Sequence, residues 1–283
     1  MKTNDENSAK TLDVVLELFS AIDQPEFSNC LLRLINSLVP VDHVIFLIFR
    51  EKGTPILLHD QISDEEKSSF YNIYMKGGYL LSPYYKNFLN KCDSGAYALK
   101  SIAPEGFFGS EYYERYYLRP FVGDEVGLLI HLSEDAAVFL GLTKLSENGD
   151  FLKEESQRLK NFLPLIEAVV KMHWGKLASD TTIDKVSKTL HEQFQLSLRN
   201  FGRSILTDRE YDVVYLMLQG HSSKSAAREI NISPETERGY RKQIYAKLSI
   251  NSLAEVYSMF FSAISCNNMD IVLDPRKIRP ETQ

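Results

Sequence analysis

The chain has 283 residues and a formal net charge of -6, with 44% hydrophobic and 25% charged residues. That balance supplies enough apolar area for real cores, excludes whole-chain disorder, and at this length suits two modest domains. No apolar run approaches the roughly 20 residues a membrane span needs, and the polar start MKTNDENSAK lacks the apolar centre of a secretory signal. The expected location is the cytoplasm, with no membrane partner.

Two amphipathic helices, Leu12–Ile22 and Pro25–Leu38, are predicted to open the chain. HVIFLIFREKGTPILLH then reads as a hairpin of strands 43–50 and 55–59 around a Lys-Gly-Thr turn. Ser63 with Glu66 caps a helix to about Met75, which Gly77-Gly78 breaks; Ser82-Pro83 starts another, to Cys92. A short strand near 96–100 follows. Residues 124–144 form a second hairpin turning at Ser-Glu-Asp, and 150–173 a long helix with a bend expected at Pro164. Two antiparallel hairpins between long helices predict an α+β sensor module of the GAF or PAS kind over 1–175.

Ten of the 15 tyrosines lie between Tyr71 and Tyr117, and FFGSEYYERYY (107–117) holds six aromatics in eleven residues. For any single ring, core packing is the favoured reading. As a group they suit an aromatic-walled pocket with a few placed polar groups, of the kind that accepts an organic cation or a polar aromatic ligand. The ligand-binding candidates are Tyr79, Tyr84, Tyr85, Phe107, Phe108, Tyr112, Tyr116 and Glu125. An exposed aromatic patch would instead mark a protein-interaction module, and both readings stay open. The cysteines (Cys30, Cys92, Cys266) and the six histidines are dispersed, with no pair at metal-ligand spacing. Cys30 sits on an apolar helical face and reads as core. No metal, cofactor or catalytic set is expected, and the chain is not predicted to be an enzyme.

Residues 176–203 form a helical linker in which Ile183, Val186, Leu190, Phe194 and Leu198 recur at three and four. Beyond it the charge changes sign. Residues 1–175 contain 17 Lys/Arg and 25 Asp/Glu, whereas 201–250 contain eight and six, a composition better suited to a polyanion. Thr207 and Glu210 make a capping box before a helix with Val213, Val214, Met217 and Leu218 on one face, ended by Gly220. A short helix capped by Ser222 or Ser223 presents Ala226, Ala227 and Ile230. Ser233 caps a third helix with Pro234 at its first position, where the missing amide costs nothing. That helix runs to about Leu248, with Ile244 and Leu248 inward and an acid-free basic stripe outward. A fourth begins at Ser252, with Glu255 completing a box.

Helix, short helix, tight turn and a basic-striped helix are the parts of a helix-turn-helix. The stretch LTDREYDVVYLMLQGHSSKSAAREINISPETERGYRKQIYAKLSINSLAEV resembles the C-terminal DNA-binding domain of LuxR-type (NarL/FixJ-type) transcription regulators, over about 50 residues without a gap. The resemblance implies a four-helix domain over 204–265 whose third helix reads double-stranded DNA. It places Arg238, Gly239 and Lys242 at base edges and Thr207, Lys224, Thr236, Arg241 and Lys247 near phosphates. Glu237 stands where the family usually has an apolar residue, so it is expected to find a basic partner or solvent. The implied whole is a homodimeric, small-molecule-responsive regulator, partnered by RNA polymerase if it activates. Residues 266–283 are expected to be a flexible tail.

Overall fold

The computed structural model describes residues 2–110, 112–117, 122–178, 184–265 and 268–277; the side chains of 2–10, 65, 66, 69, 115–117, 122, 178, 184, 185 and 265 lie outside that description. Helix α1 (Lys2–Ser20) is followed by α2 (Phe27–Leu38), whose Phe27, Cys30, Leu31, Leu34, Ile35 and Leu38 are all buried at helical spacing. The sheet comprises β1 (His43–Arg50), β2 (Ile56–Gln61), β3 (Gly95–Ala98), β4 (Val122–His131) and β5 (Ala136–Leu145). Its order is β2-β1-β5-β4-β3, with every neighbouring pair antiparallel.

Period-two alternation divides this sheet between two cores. Val44, Phe46 and Ile48, with Val126, Leu128, Val138 and Leu140, face the layer formed by α2 and α6 (Lys153–Trp174). Ile45, Leu47 and Phe49, with Leu129 and Phe139, face the other way. That second face is covered by α3 (Asp64–Ser69), a π-helical turn at Phe70–Tyr74, α4 (Pro83–Leu89), α5 (Leu99–Ile102) and a second π-helical turn at Tyr112–Tyr117. The single helix expected over 63–75 therefore widens at Phe70, where Met75 N donates to Phe70 O at 3.0 Å, and this brings both Phe70 and Tyr74 into the core. Gly127 makes room for Tyr84: a Cβ there would lie 2.4 Å from the Tyr84 ring.

Helix α7 (Asp184–Asn200) joins the halves. Its inward side is polar at first: Ser187 Oγ accepts from Arg50 Nη2 at 2.5 Å and from Thr54 N at 3.0 Å, and His191 Nδ1 shares a 2.7 Å hydrogen bond with the Tyr79 hydroxyl. Val186 and Leu190, from the predicted apolar stripe, point to solvent. Further along, Leu198 and Phe201 enter a core shared by the second face of the sheet and the C-terminal helices. Those helices are α8 (Asp208–Leu218), α9 (Ser223–Glu229), α10 (Pro234–Leu248) and α11 (Leu253–Ser265). Among the described residues no helix is long and apolar enough to cross a membrane.

The tail differs from expectation. Residues 269–273 form α12 (Met269–Leu273), which buries Val272. Gly202 N donates to Val272 O at 2.8 Å, and both the amide and the hydroxyl of Ser204 donate to Leu273 O. The segment is held by backbone groups left over at the end of the linker, which composition does not reveal.

Candidate DNA interface and ligand cavity

The caps of α8, α9 and α10 form as their sequences require. Glu210 N donates to Thr207 Oγ1 and Thr207 N to Glu210 Oε2; Ser225 N donates to Ser222 Oγ, and Thr236 N to Ser233 Oγ. The turn between α8 and α9 needs Gly220, whose φ is +83°. These local devices set α10 across α8 and α9, with Ile244 and Leu248 buried.

The outer face of α10 presents Arg238, Gly239 and Lys242, all exposed, and a Cβ on Gly239 would meet nothing within 4 Å. Arg238 Nη2 lies 2.8 Å from Glu235 Oε1, an exposed pairing that leaves it free to swing outward. Lys224 and Thr236 are exposed beside this face.

Three residues expected near phosphates, Thr207, Arg241 and Lys247, also make contacts within the domain. Glu237 is 0% exposed, and Arg241 Nε sits 2.5 Å from its Oε1 while Arg241 Nη2 donates to His221 O at 3.0 Å. Ser223 Oγ also donates to Glu237. The basic partner expected for Glu237 is thus Arg241, one helical turn on, and this turns Arg241 away from the outer face. Lys247 Nζ lies 2.7 Å from Glu210 Oε2, which also accepts from Thr207 Oγ1. Burial pushes the Glu210 carboxyl up, but the hydrogen bonds from Lys247 and Thr207 outweigh it and hold the group below its usual range.

The aromatic candidates are dispersed through the core and do not line one pocket. Tyr79, Tyr84, Tyr85 and Tyr112 are fully buried. The Tyr84 hydroxyl donates to Tyr97 O, that of Tyr85 to Arg50 O and that of Tyr112 to Gly78 O. Burial raises the pKa of all four, so they stay neutral donors. Phe108 is 38% exposed. The Tyr116 side chain lies outside the described residues. Among the described candidates only Glu125 lines the apolar cleft beside the sheet, together with Phe70, Tyr74, Phe139, His43 and Thr143. The cleft is narrow, with a volume of about 20 Å³. Sequence reading missed Phe70 and Tyr74, which only the π-helical turn brings together.

Phe107 and Tyr112 have another role. Phe107 packs under Gly220, where an added Cβ would fall 2.9 Å from Phe107 Cα. The Tyr112 ring stacks on Tyr257 and Phe261 of α11, at centroid distances of 6.2 and 6.3 Å. Beside them Glu105 Oε2 accepts from Arg228 Nη2 at 3.1 Å and Lys86 Nζ donates to Gln219 Oε1 at 3.1 Å. Phe107 and Tyr112, with Glu105 and Lys86, thus form a seam between the N-terminal half and the DNA-binding helices.

Comparison with known proteins agrees with this geometry. Residues 204–260 match the family model of bacterial regulatory proteins, luxR family. The putative HTH-type transcriptional regulator in the exeN 3'region of Aeromonas salmonicida is 26% identical over 172 residues, covering 60% of this chain and 87% of that protein. The crystal structure of the VqsR LBD domain from Pseudomonas aeruginosa superposes with a TM-score of 0.52 at 26% identity, over 60% of this chain and 97% of that one. Escherichia coli SdiA aligns over 96% of this chain and 99% of its own, at 13% identity and a TM-score of 0.42. The family match over 204–260 defines the chain as a DNA-binding transcription regulator. Its C-terminal domain is a luxR-family helix-turn-helix, and its N-terminal half has a fold similar to the VqsR domain.

Proposed function

We propose that the protein is a sequence-specific regulator in which a GAF/PAS-like sensor domain over 1–175 binds a small molecule and modulates DNA binding by residues 204–265 through the 176–203 linker. The observation that carries the DNA-binding half is the outer face of α10, where Arg238 and Lys242 flank the open backbone of Gly239. Arg238 suits a guanine edge and Lys242 and Lys224 suit phosphates. For the sensor, the supporting observation is the cleft that sets the Glu125 carboxylate among Phe70, Tyr74 and Phe139. A carboxylate among aromatic rings favours an organic cation or a polar aromatic ligand, and the narrowness of the cleft requires the 70–74 turn to move on binding. The exposed apolar row Leu12, Leu16 and Phe19 on α1 supports a homodimer.

The reading is tested on the full-length protein. Selection from random duplexes yields a preferred site that Arg238→Ala no longer distinguishes. A thermal-shift screen of amines and polar aromatics finds an effector whose binding changes affinity for that site and is lost in Glu125→Gln. By linkage, the site must change effector affinity by the same factor. A folded protein that prefers no duplex would sink the whole proposal; effectors that bind Glu125→Gln unchanged would sink the placement of the sensor site.

A further inference from the structure

A second cavity lies where the two halves meet, with a volume of about 250 Å³. Lys86 and Asn87 of α4 form one wall, and Gln219 and His221 of the α8–α9 turn, with Ser225 of α9, form the other. The aromatic cleft shares no residue with it.

Its polar groups are unevenly matched. Asn87 Nδ2 and His221 Nε2 are buried without a hydrogen-bond partner, and the whole of His221 is 94% removed from solvent, since its exposure is 6%. Lys86 Nζ donates to Gln219 Oε1, which uses one of its three protons. His221 Nδ1 and Ser225 Oγ share a hydrogen bond of 2.9 Å. When the hydroxyl donates in that bond, Nε2 carries the ring proton and becomes a donor. An ammonium, an amide and an imidazole N–H then line one space, the last two buried without an acceptor, and buried donors in that state favour an occupant that accepts. Burial pushes the Lys86 pKa down, so an anion beside it would relieve a real cost. Glu229, at the exposed edge of the lining, faces water, which screens its repulsion of an anion. Leu81, Ile102 and Pro104 add an apolar wall.

We propose that this interdomain cavity binds a small organic carboxylate, whose oxygens accept from Lys86, Asn87 and His221 while its hydrocarbon part lies against Leu81 and Ile102. Because the donors come from both halves, the occupant ties the N-terminal half to the DNA-binding helices. It acts independently of the aromatic cleft.

The test uses full-length protein titrated with benzoate, its neutral counterpart benzamide, and inorganic phosphate, followed by calorimetry and by amide NMR shifts. The expected result is saturable one-to-one benzoate binding, with the Gln219 and Ser225 amides among those shifted. Benzamide should bind at least roughly tenfold more weakly, since a charge-assisted hydrogen bond is lost. Lys86→Met and Asn87→Leu should each weaken benzoate by a similar factor, and Glu125→Gln should leave it unchanged. Where circular dichroism shows that a variant does not fold, the shift map of the wild-type protein decides. Equal binding of benzamide, binding of phosphate but not benzoate, shifts confined to other surfaces, or no saturation would each overturn the proposal.

Discussion

Glu237 and Arg241 form an ion pair inside the DNA-binding domain, 2.5 Å apart, with the carboxylate wholly removed from water. Removing only the cation would strand that charge, which in buried pairs costs about 3–5 kcal/mol. Arg241→Ala is therefore expected to lower the denaturation midpoint of the C-terminal domain sharply, and to lower DNA affinity through loss of folded protein. The double change Glu237→Leu, Arg241→Met should be far milder. Unchanged denaturation of Arg241→Ala with weakened DNA binding would return Arg241 to the phosphate-contacting set.

Arg238 and Lys242 should behave in the opposite way. Both are exposed, and the Arg238–Glu235 pair is a surface contact worth at most about 1 kcal/mol. Arg238→Ala is expected to leave stability intact and to cost about 1–3 kcal/mol of discrimination at one base pair, if the contact is bidentate to guanine. Lys242→Ala should weaken all duplexes alike and reduce the salt slope by about one unit. Fluorescence anisotropy titrations at several salt concentrations measure both.

Gly220→Ala probes the seam. The residue has φ +83°, and the new methyl would fall 2.9 Å from Phe107 Cα. Backbone of this kind costs a non-glycine residue roughly 1–3 kcal/mol, and the clash with main chain adds to that. The halves are expected to separate, read as a larger radius of gyration in solution scattering and as new protease cleavage near 104–109. An unchanged scattering profile would count against the seam.

His221 should make the seam pH-sensitive. Burial first, then the nearby Lys86 ammonium, pushes its pKa down to about 4, against the opposing pull of Glu229, with Arg241 also lowering it. The unfolded chain, near 6.5, binds the proton more readily than the folded one, so stability rises with pH across that window. The contribution is complete above about 6.5 and is lost as pH falls toward 4, by up to about 3 kcal/mol. His59, His173 and His191 are also lowered by burial and act in the same direction. The comparison must therefore be between wild type and His221→Gln: denaturation free energies between pH 4 and 7 should converge toward the acid end. Parallel curves would assign the pH dependence elsewhere.

Much of this was legible in the sequence. The hairpins expected over 43–59 and 124–144 follow from apolar runs broken by turn residues, and the C-terminal helices from caps at Thr207, Ser222 and Ser233. Arg238, Gly239 and Lys242 stand on the face that helical spacing assigns them. The aromatic cluster was legible only as a cluster. Tyr84 and Tyr85 are neighbours in the chain, yet one hydroxyl reaches Tyr97 and the other Arg50, because consecutive helical positions point about 100° apart.

What the sequence determined by itself was local: the apolar runs of the strands, the helix caps, the glycine turn and the outward basic stripe of α10. Tertiary structure decided the partners that the caps do not supply. Arg241 turned inward because Glu237 was buried, and Phe107 and Tyr112 became seam because Gly220 and Tyr257, more than a hundred residues away, came to lie against them. Hydrogen bonds and ring contacts act over a few ångströms of space, and chain separation says nothing about such distances until the cores that join the two halves have closed.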